Sequence, residues 1–264
     1  MNSGLVWFIV ATVGSGLLGA LLMAWLRRRF KFSDEDTIQE TLGVSVSFVT
    51  LLFSFFLGFA IVNLWQAYEF ADRLVLDEAN EIRTLHDLLT QQPSVIDGDG
   101  NALIGTQVNQ YLHSLIGEEW QAMESGKGSH GTNTDNALEN MRHEAYILAS
   151  HAQPPALVAN EVLNSVVRIN TLRRDRLNLL GPSLHPLLSA AIRFLAVFTL
   201  VGFFFLGGRH WKVQFLVDFI VVATVVLSVY LIHALDEPFN GRGFFVEKDV
   251  FVQLEKEFGG YKEK

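Results

Sequence analysis

The chain has 264 residues, half of them hydrophobic, with 21 Phe and only 18% charged side chains. Soluble domains carry about 25% charge, so this composition points to a membrane protein. The net charge of −8 argues against a nucleic-acid binder, which needs a basic patch, and the absence of cysteine excludes disulfides, thiolate metal sites and cysteine nucleophiles.

Gly4 to Leu26 is uncharged. At about 1.5 Å per residue it is long enough to cross a ~30 Å hydrocarbon core. It lacks a basic segment before it, its apolar run exceeds that of a signal peptide, and Arg27, Arg28 and Arg29 follow directly. It therefore reads as a retained span. Gly14, Gly16, Gly19 and Ala20 make one side of it small enough for another helix to approach. Ser33 to Glu40 carries an N-cap candidate followed by Asp34, Glu35 and Asp36, which predicts a short surface helix leading into the second span.

Leu42 to Leu64 is the second uncharged run. Within it, Leu51, Phe55 and Phe59 fall four residues apart, on one helix face. Phe48, Phe53 and Phe56 lie on other faces, as in any all-round apolar helix. Packing or lipid contact is therefore the first reading of these rings, and a pore lining the second. Gly58 would let a neighbouring backbone come close.

Residues 65–183 form a polar insert. Leu74, Ala79, Ile82, Leu85 and Leu89 recur at helical spacing with no Gly or Pro before Pro93, so the second span is expected to continue as one long helix. The stretch QPSVIDGDGN breaks it. Ala102 to Gly126 predicts a further helix, followed by the loop SGKGSHGTNTDN. Thr134 or Asp135 could cap a third insert helix ending near His151. A fourth starts at Pro154-Pro155 and runs through Arg173-Arg174-Asp175-Arg176 towards Pro182.

His185 to Leu206 is a third apolar run, containing Arg193, and Val213 to Ala234 a fourth, with Asp218 near its start. Charges inside a bilayer cost about 2.5–3.5 kcal/mol on insertion scales and usually face protein or water. Arg193 suits an anion-attracting group or a structural anchor equally; along an antiparallel hairpin its depth differs from that of Asp218 by roughly 10 Å, which makes a direct pair doubtful. Arg27, Arg28, Arg29 and Lys31 after the first run, with Arg209 and Lys212 between the last two, place both linkers in the cytoplasm by the positive-inside rule. The N-terminus, insert and C-terminal tail then lie outside.

Glu78-Ala79-Asn80-Glu81 with Arg73 and Arg83 reads either as a charged pore mouth or as an ordinary salt-bridged helix. Asp77 and Glu81 repel at i,i+4. The Arg173, Arg174 and Arg176 run on the returning helix is their natural partner, which favours the structural reading. Enzyme signatures are absent: the eight His form no H-E-x-x-H, and no P-loop, nucleophile elbow or dinucleotide fingerprint occurs. No metal or cofactor is expected.

Three stretches taken together, LWQAYEFADRLVLDEANEIRTL, RINTLRRDRLNLLGPSLHPLL and LDEPFNGRGFFVEKDVF, resemble a bacterial membrane-protein family of unknown function whose domain is called bestrophin-like. The likeness covers about residues 40–255 and rests on Glu78-Ala79-Asn80, on Leu172 to Leu177, and on Leu235 to Gly241. More distantly the chain is similar to the bestrophin anion channels, which share an S-F-x-L-G-F stretch on their second membrane helix. That resemblance implies a pentamer with the second helix at the axis and a hydrophobic neck at the positions of Leu51, Phe55 and Phe59. It does not extend to the calcium-binding acidic clasp, because Asn240-Gly241-Arg242-Gly243 follows Phe239 here. In bestrophins the region between spans two and three is cytoplasmic, opposite to the side the charge pattern gives.

The sequence thus predicts an all-α integral membrane protein with four transmembrane helices in two hairpins: 1–64, a helical insert at 65–183, the second hairpin at 184–234, and a tail at 235–264. The expected function is a bestrophin-like homo-oligomeric pore in a bacterial inner membrane, passing a small anion, with Leu51, Phe55 and Phe59 as its neck. Gly58 would serve helix packing, and Glu78, Asn80, Arg173, Arg174, Arg176 and Arg193 would be vestibule or structural charges. The alternative is a non-conducting membrane scaffold or sensor whose insert binds a partner.

Overall fold

The computed structural model describes residues 3–29, 36–91, 98–126, 131–151, 157–206, 211–240 and 246–259. Among these the chain is helical, with no strand. It divides into two compact units: residues 1–66 with 183–236, and residues 67–182 with 237–264.

The first unit holds α1 (Ser3–Arg29), the beginning of α2 (Asp36–Gln91), and the last two long apolar helices, residues Pro186–Phe205 and Trp211–Leu235. The expected short helix at Ser33 to Glu40 lies partly outside the described residues; from Asp36 onward it is the first turn of α2 itself. The unbroken continuation of the second apolar run is found: α2 is a single helix of 56 residues. The helix Pro186–Phe205 begins where His185 accepts a hydrogen bond at Nδ1 from the Leu187 amide, 3.2 Å away, with Pro186 in the first turn. Proline fits there because its missing N–H would have no helical partner anyway. Three helices, namely α2 and these last two, are long and apolar enough to cross a membrane. In α1 the described apolar stretch is Thr12–Leu26.

Small residues set the packing in this unit. A methyl group on Gly19 would lie 2.6 Å from Val222 Cγ1, and one on Gly16 3.0 Å from the Phe219 ring, so α1 sits directly against Trp211–Leu235. Gly202 receives Val46 of α2 equally closely, 2.6 Å from the position of a methyl. Without a hydrophobic drive between helices in lipid, such close approach supplies the van der Waals contact that holds a bundle. Serine and threonine hydroxyls in α2 turn back on their own helix: Ser47 donates to the Gly43 carbonyl at 2.8 Å and Thr50 to Val46 at 2.8 Å. That satisfies them where no water is at hand.

The second unit gathers the rest of α2, α3 (Gly98–Ser114), a π-helical segment (Leu115–Glu119), α4 (Trp120–Glu124), α5 (Thr132–His151), α6 (Leu157–Asn178) and the tail helix Asp249–Gly259. In chain order the two long apolar helices above are α7 (Pro186–Phe205) and α8 (Trp211–Leu235), and the tail helix is α9. The single helix expected over Ala102 to Gly126 instead starts at Gly98 and carries the π segment. The helix ends at Glu124, and the turn after it closes at Gly126, whose φ of 67° favours glycine. α5 starts two residues earlier than the expected caps: the Gly131 carbonyl accepts from the Asp135 amide at 2.9 Å, and Thr134 is buried inside the helix. Pro154-Pro155 lies outside the described residues. The unit's core joins Ile82, Leu85, Ile104, Val108, Leu112, Met141, Val162, Val166 and Ile169. The tail contributes Phe251, Leu254 and Phe258 to the same core.

Candidate functional site

In the first unit, α2 presents two unlike faces. Val46, Phe53, Ala60 and Leu64 are buried, and Phe53, Ala60 and Leu64 pack in one cluster with Ile192, Ala196 and Val225. Leu51, Phe55 and Phe59 point the other way and are 67%, 68% and 55% exposed. Val44, Phe48 and Val62 extend the same bare stripe. Among the described residues the rings pack on no other helix, which leaves lipid contact and a pore lining as their readings. Gly58 lies beside them, and a methyl there would meet no atom within 4 Å. Its small size serves no contact among the described residues.

The membrane charges separate. Arg193 is exposed on α7, and its Nε donates to the Ser189 carbonyl at 3.2 Å. Asp218 is 1% exposed on α8 and accepts from Gln214 Nε2 at 2.9 Å. Burial of an acid so near the helix start shows that it serves the interior of the bundle rather than reaching for the interface.

In the second unit the predicted charges divide sharply. Asn80 and Arg174 are exposed, whereas Glu78, Arg173 and Arg176 are buried. Arg176 on α6 donates from Nε to Glu78 Oε2 at 2.8 Å and from Nη2 to Glu78 Oε1 at 3.2 Å. The same Nη2 reaches Glu119 Oε1 at 2.8 Å, and Nη1 reaches the Met123 sulfur at 2.9 Å. Arg173, one turn away, donates from Nε to Glu119 Oε2 at 3.0 Å and pairs with Asp135 Oδ1 at 2.7 Å. Tyr111 closes the set by donating its hydroxyl to Glu78. The Arg176 guanidinium also lies 5.6 Å from the Trp120 ring and 6.0 Å from that of Phe251, in cation–π range.

Two buried acids thus face two buried bases, and four separate segments supply the hydrogen bonds. Burial pulls the pKa of Arg176 down, but Glu78 and Glu119 together outweigh it and hold the guanidinium charged. Arg173 behaves likewise through Glu119. The Tyr111 hydroxyl is pushed well up, first by burial and then by the charge of Glu78, so it remains a donor. The two buried acids balance the two buried bases, exposed Asp135 adds a third acid at the edge, and the geometry clamps helices together.

Glu119, Tyr111 and Asp135 are partners that sequence reasoning missed. The signal was present for Glu119, which occupies an apolar register with Leu112, Leu115 and Met123. An acid in such a stripe predicts a buried partner of opposite sign. Glu81 finds Arg168 at 3.6 Å on α6, rather than the Arg173–Arg176 run.

From Leu235 through Asn240, the LDEPFN stretch is a structural turn. Asp236 accepts the amides of Leu184 at 2.7 Å and Ser183 at 3.0 Å, tying the end of α8 to the start of α7. Past it, in the second unit, Glu237 accepts from the Asn240 side chain and Phe239 packs edge-on against Trp120. Among the described residues no group of three acids or histidines is placed to hold a metal ion.

The family model of the Bestrophin-like domain matches residues 14–249. The chain belongs to the bestrophin-like family. Among solved structures, this bestrophin-like fold is similar to a bacterial bestrophin homolog from Klebsiella pneumoniae, with a TM-score of 0.71 at 14% identity over 97% of this chain and 99% of that one. Two point variants of the homolog give TM-scores of 0.72 at 14% identity, over 97% and 99% of the two chains, and 0.66 at 15% identity, over 99% and 100%. Identity at this level carries the fold. A search of curated proteins finds no match. Family and apolar helices together make this bestrophin-like chain a membrane protein.

Proposed function

We propose that this protein is the subunit of an oligomeric bestrophin-type channel that passes anions, with α2 at its axis. The observation that carries the reading is the bare face of α2 at Leu51, Phe55 and Phe59. Lipid would satisfy the rings, but exposed Ser47, Ser54 and Asn63 accompany them on the uncovered surface. Polar side chains at membrane depth are better placed against protein or water than against acyl chains. A ring of copies gives the rings each other, gives the polar groups a passage, and gives Gly58 a neighbouring backbone to admit. In the second unit the exposed positions of α2 include Glu69, Asp72, Arg73, Asp77 and Asn80, which suits a wetted vestibule. The apolar neck would gate by dewetting.

The finer features follow from the same reading. α1, with 27 residues, is the fourth span, because at about 1.5 Å per residue its length exceeds a ~30 Å core. Both short linkers face the cytoplasm of a bacterial inner membrane. Five copies close the ring, by analogy with the bestrophins. Arg193, exposed on α7, adds positive potential for an anion.

The test is anion flux in liposomes, together with native mass spectrometry of the detergent-solubilised protein. Wild type should conduct as a multi-subunit ring, and Phe55→Ala or Phe59→Ala should raise flux several-fold by widening the neck. A sealed, correctly folded preparation that stays silent across voltage and pH, or a protein that is monomeric, would overturn the channel and leave the non-conducting scaffold.

A further inference from the structure

A cavity of about 270 Å³ lies within the second unit and opens to the surface on one side. Two long helical runs end at it. The continuous run Gly98–Glu124 stops there, with Met123 in its last turn and Gly126 in the turn that follows. α6 stops at Asn178, and Leu179 and Leu180 directly after it form part of the wall. A helix C-terminus carries roughly half a negative elementary charge, from carbonyls without helical partners. The amides nearby are spent: Gly126 donates to the Met123 carbonyl at 3.0 Å, Leu179 to that of Arg176 at 3.2 Å and Leu180 to that of Leu177 at 3.1 Å. Glu237 adds a formal charge of the same sign. It is half-buried in the wall, accepts from the Asn240 side chain, and pairs with no base among the described residues. Among the described residues only Gly126 and Gly181 have positive φ, 67° and 136°, and both line this cavity. Glycine at each lets the chain turn sharply around one shared space.

We infer that this cavity is a binding site for a small organic ammonium ion. Two helix ends and one carboxylate give it negative potential, and no Lys, Arg or His lines it. The ion-pair cluster behind Met123 adds no net positive charge, because Glu78 and Glu119 match Arg176 and Arg173. The free lone pairs of Glu237 take the N–H groups. Leu179, Leu180 and Pro182 take the apolar body, over a floor of buried Met123 and Phe239. The size suffices, since a cavity of about 150 Å³ already holds benzene. A divalent metal ion fits poorly. Calcium takes about six to eight oxygen ligands, and among the described residues no group of three acids or histidines is placed to hold one. An anion would meet only charge of its own sign. Every lining residue belongs to the second unit, so the site stands whether or not α2 lines a pore.

The probes are para-fluorophenethylammonium, para-fluorophenethyl alcohol and para-fluorophenylacetate, alike in body and different in charge. Binding to the full-length protein in phosphatidylcholine nanodiscs is read by fluorine NMR, against empty nanodiscs. Wild type should bind the ammonium roughly ten-fold more tightly than the alcohol, the worth of about one hydrogen bond to a charged group, and should not bind the acetate. Glu237→Gln keeps an acceptor for Asn240. It should remove the advantage of the ammonium and leave alcohol binding unchanged. Glu161→Gln, an exposed acid at the far end of α6, should change nothing. Pro182→Trp, at the exposed rim, should block both the ammonium and the alcohol with the thermal unfolding midpoint intact; if that midpoint falls, the Glu237→Gln comparison decides alone. Ammonium signals identical to those with empty nanodiscs, an advantage that survives Glu237→Gln, an equal loss in Glu161→Gln, or binding that persists in folded Pro182→Trp would each overturn the inference.

Discussion

The first unit keeps its interior almost free of charge and leaves one face of α2 bare, whereas the second unit places Glu78, Glu119, Arg173 and Arg176 at its centre and covers them. One helix, α2, serves both arrangements. The contrast separates two ways of fixing geometry. Apolar helices in lipid are positioned by shape, through Gly19 against Val222 and Gly202 against Val46. Shape leaves the choice of neighbour open, and here a whole stripe of rings awaits one. Buried ion pairs tolerate no such freedom. Their gain barely offsets the cost of leaving water, but removing one member strands the others. The second unit is therefore fixed in its arrangement, and the first leaves one face of α2 uncovered among the described residues.

The largest effect should come from stranding an acid. Arg176→Met fills similar space but leaves Glu78 and Glu119 buried without their shared base, at a cost of about 3–5 kcal/mol. Arg174→Met, two residues earlier and exposed, should cost less than about 0.5 kcal/mol. Tyr111→Phe removes one bond to Glu78 and should cost about 1–3 kcal/mol. Thermal unfolding in detergent, followed by circular dichroism, ranks the three. Equal midpoints for Arg176→Met and wild type would break the comparison between the units.

A smaller effect separates two glycines in the first unit. Gly202→Ala drives a methyl into Val46 and should destabilise by about 1–3 kcal/mol through overpacking. Gly58→Ala meets nothing and should leave the single chain as stable or more so, since alanine is favoured over glycine in a helix by up to about 1 kcal/mol. If neighbouring copies pack on Gly58, the same change should weaken the oligomer while sparing the fold. Native mass spectrometry reads that difference directly. An unchanged oligomer would mean that the bare face of α2 is not a subunit contact.

Much of this was legible in the sequence, and the omissions have physical causes. The long apolar runs and the unbroken pattern through Trp65 predict α2, because helical periodicity survives without tertiary context. The Arg173–Arg176 run is expected to partner Asp77 and Glu81, but Glu81 pairs with Arg168 and it is Glu78 that Arg176 takes. Glu119 was legible from its register with Leu112, Leu115 and Met123, but its neighbour Glu118 makes the stretch read as surface. The sequence reading assigns no helix to the tail at 235–264, and α9 shares a unit with the insert. Phe251, Leu254 and Phe258 recur at helical spacing, but an amphipathic helix of 11 residues does not announce which surface it covers.

The smallest effect concerns α9. His86 on α2 stacks on Phe258, with ring centroids 3.8 Å apart and planes inclined by 6°. Burial pushes its pKa below the ordinary 6.5, against a weaker upward pull from Asp87 and Glu257. The unfolded chain therefore binds more protons than the folded one as the pH drops below 6.5. Stability from the neutral ring is complete above that value and is lost as pH falls towards the lower folded pKa. Arg83 with Glu257 at 2.9 Å and His113 with Glu255 at 3.1 Å remain to hold α9, so the helix should loosen without leaving. Hydrogen exchange at about pH 7.5 and about pH 5.5, values that bracket an ordinary histidine, should show lower protection of α9 amides at the acid value, after correction for intrinsic exchange. His86→Phe keeps an aromatic ring against Phe258 and has nothing to protonate. It should flatten the pH dependence that His86 contributes, and an acid-induced loosening of the same size in that variant would show that His86 is not its source.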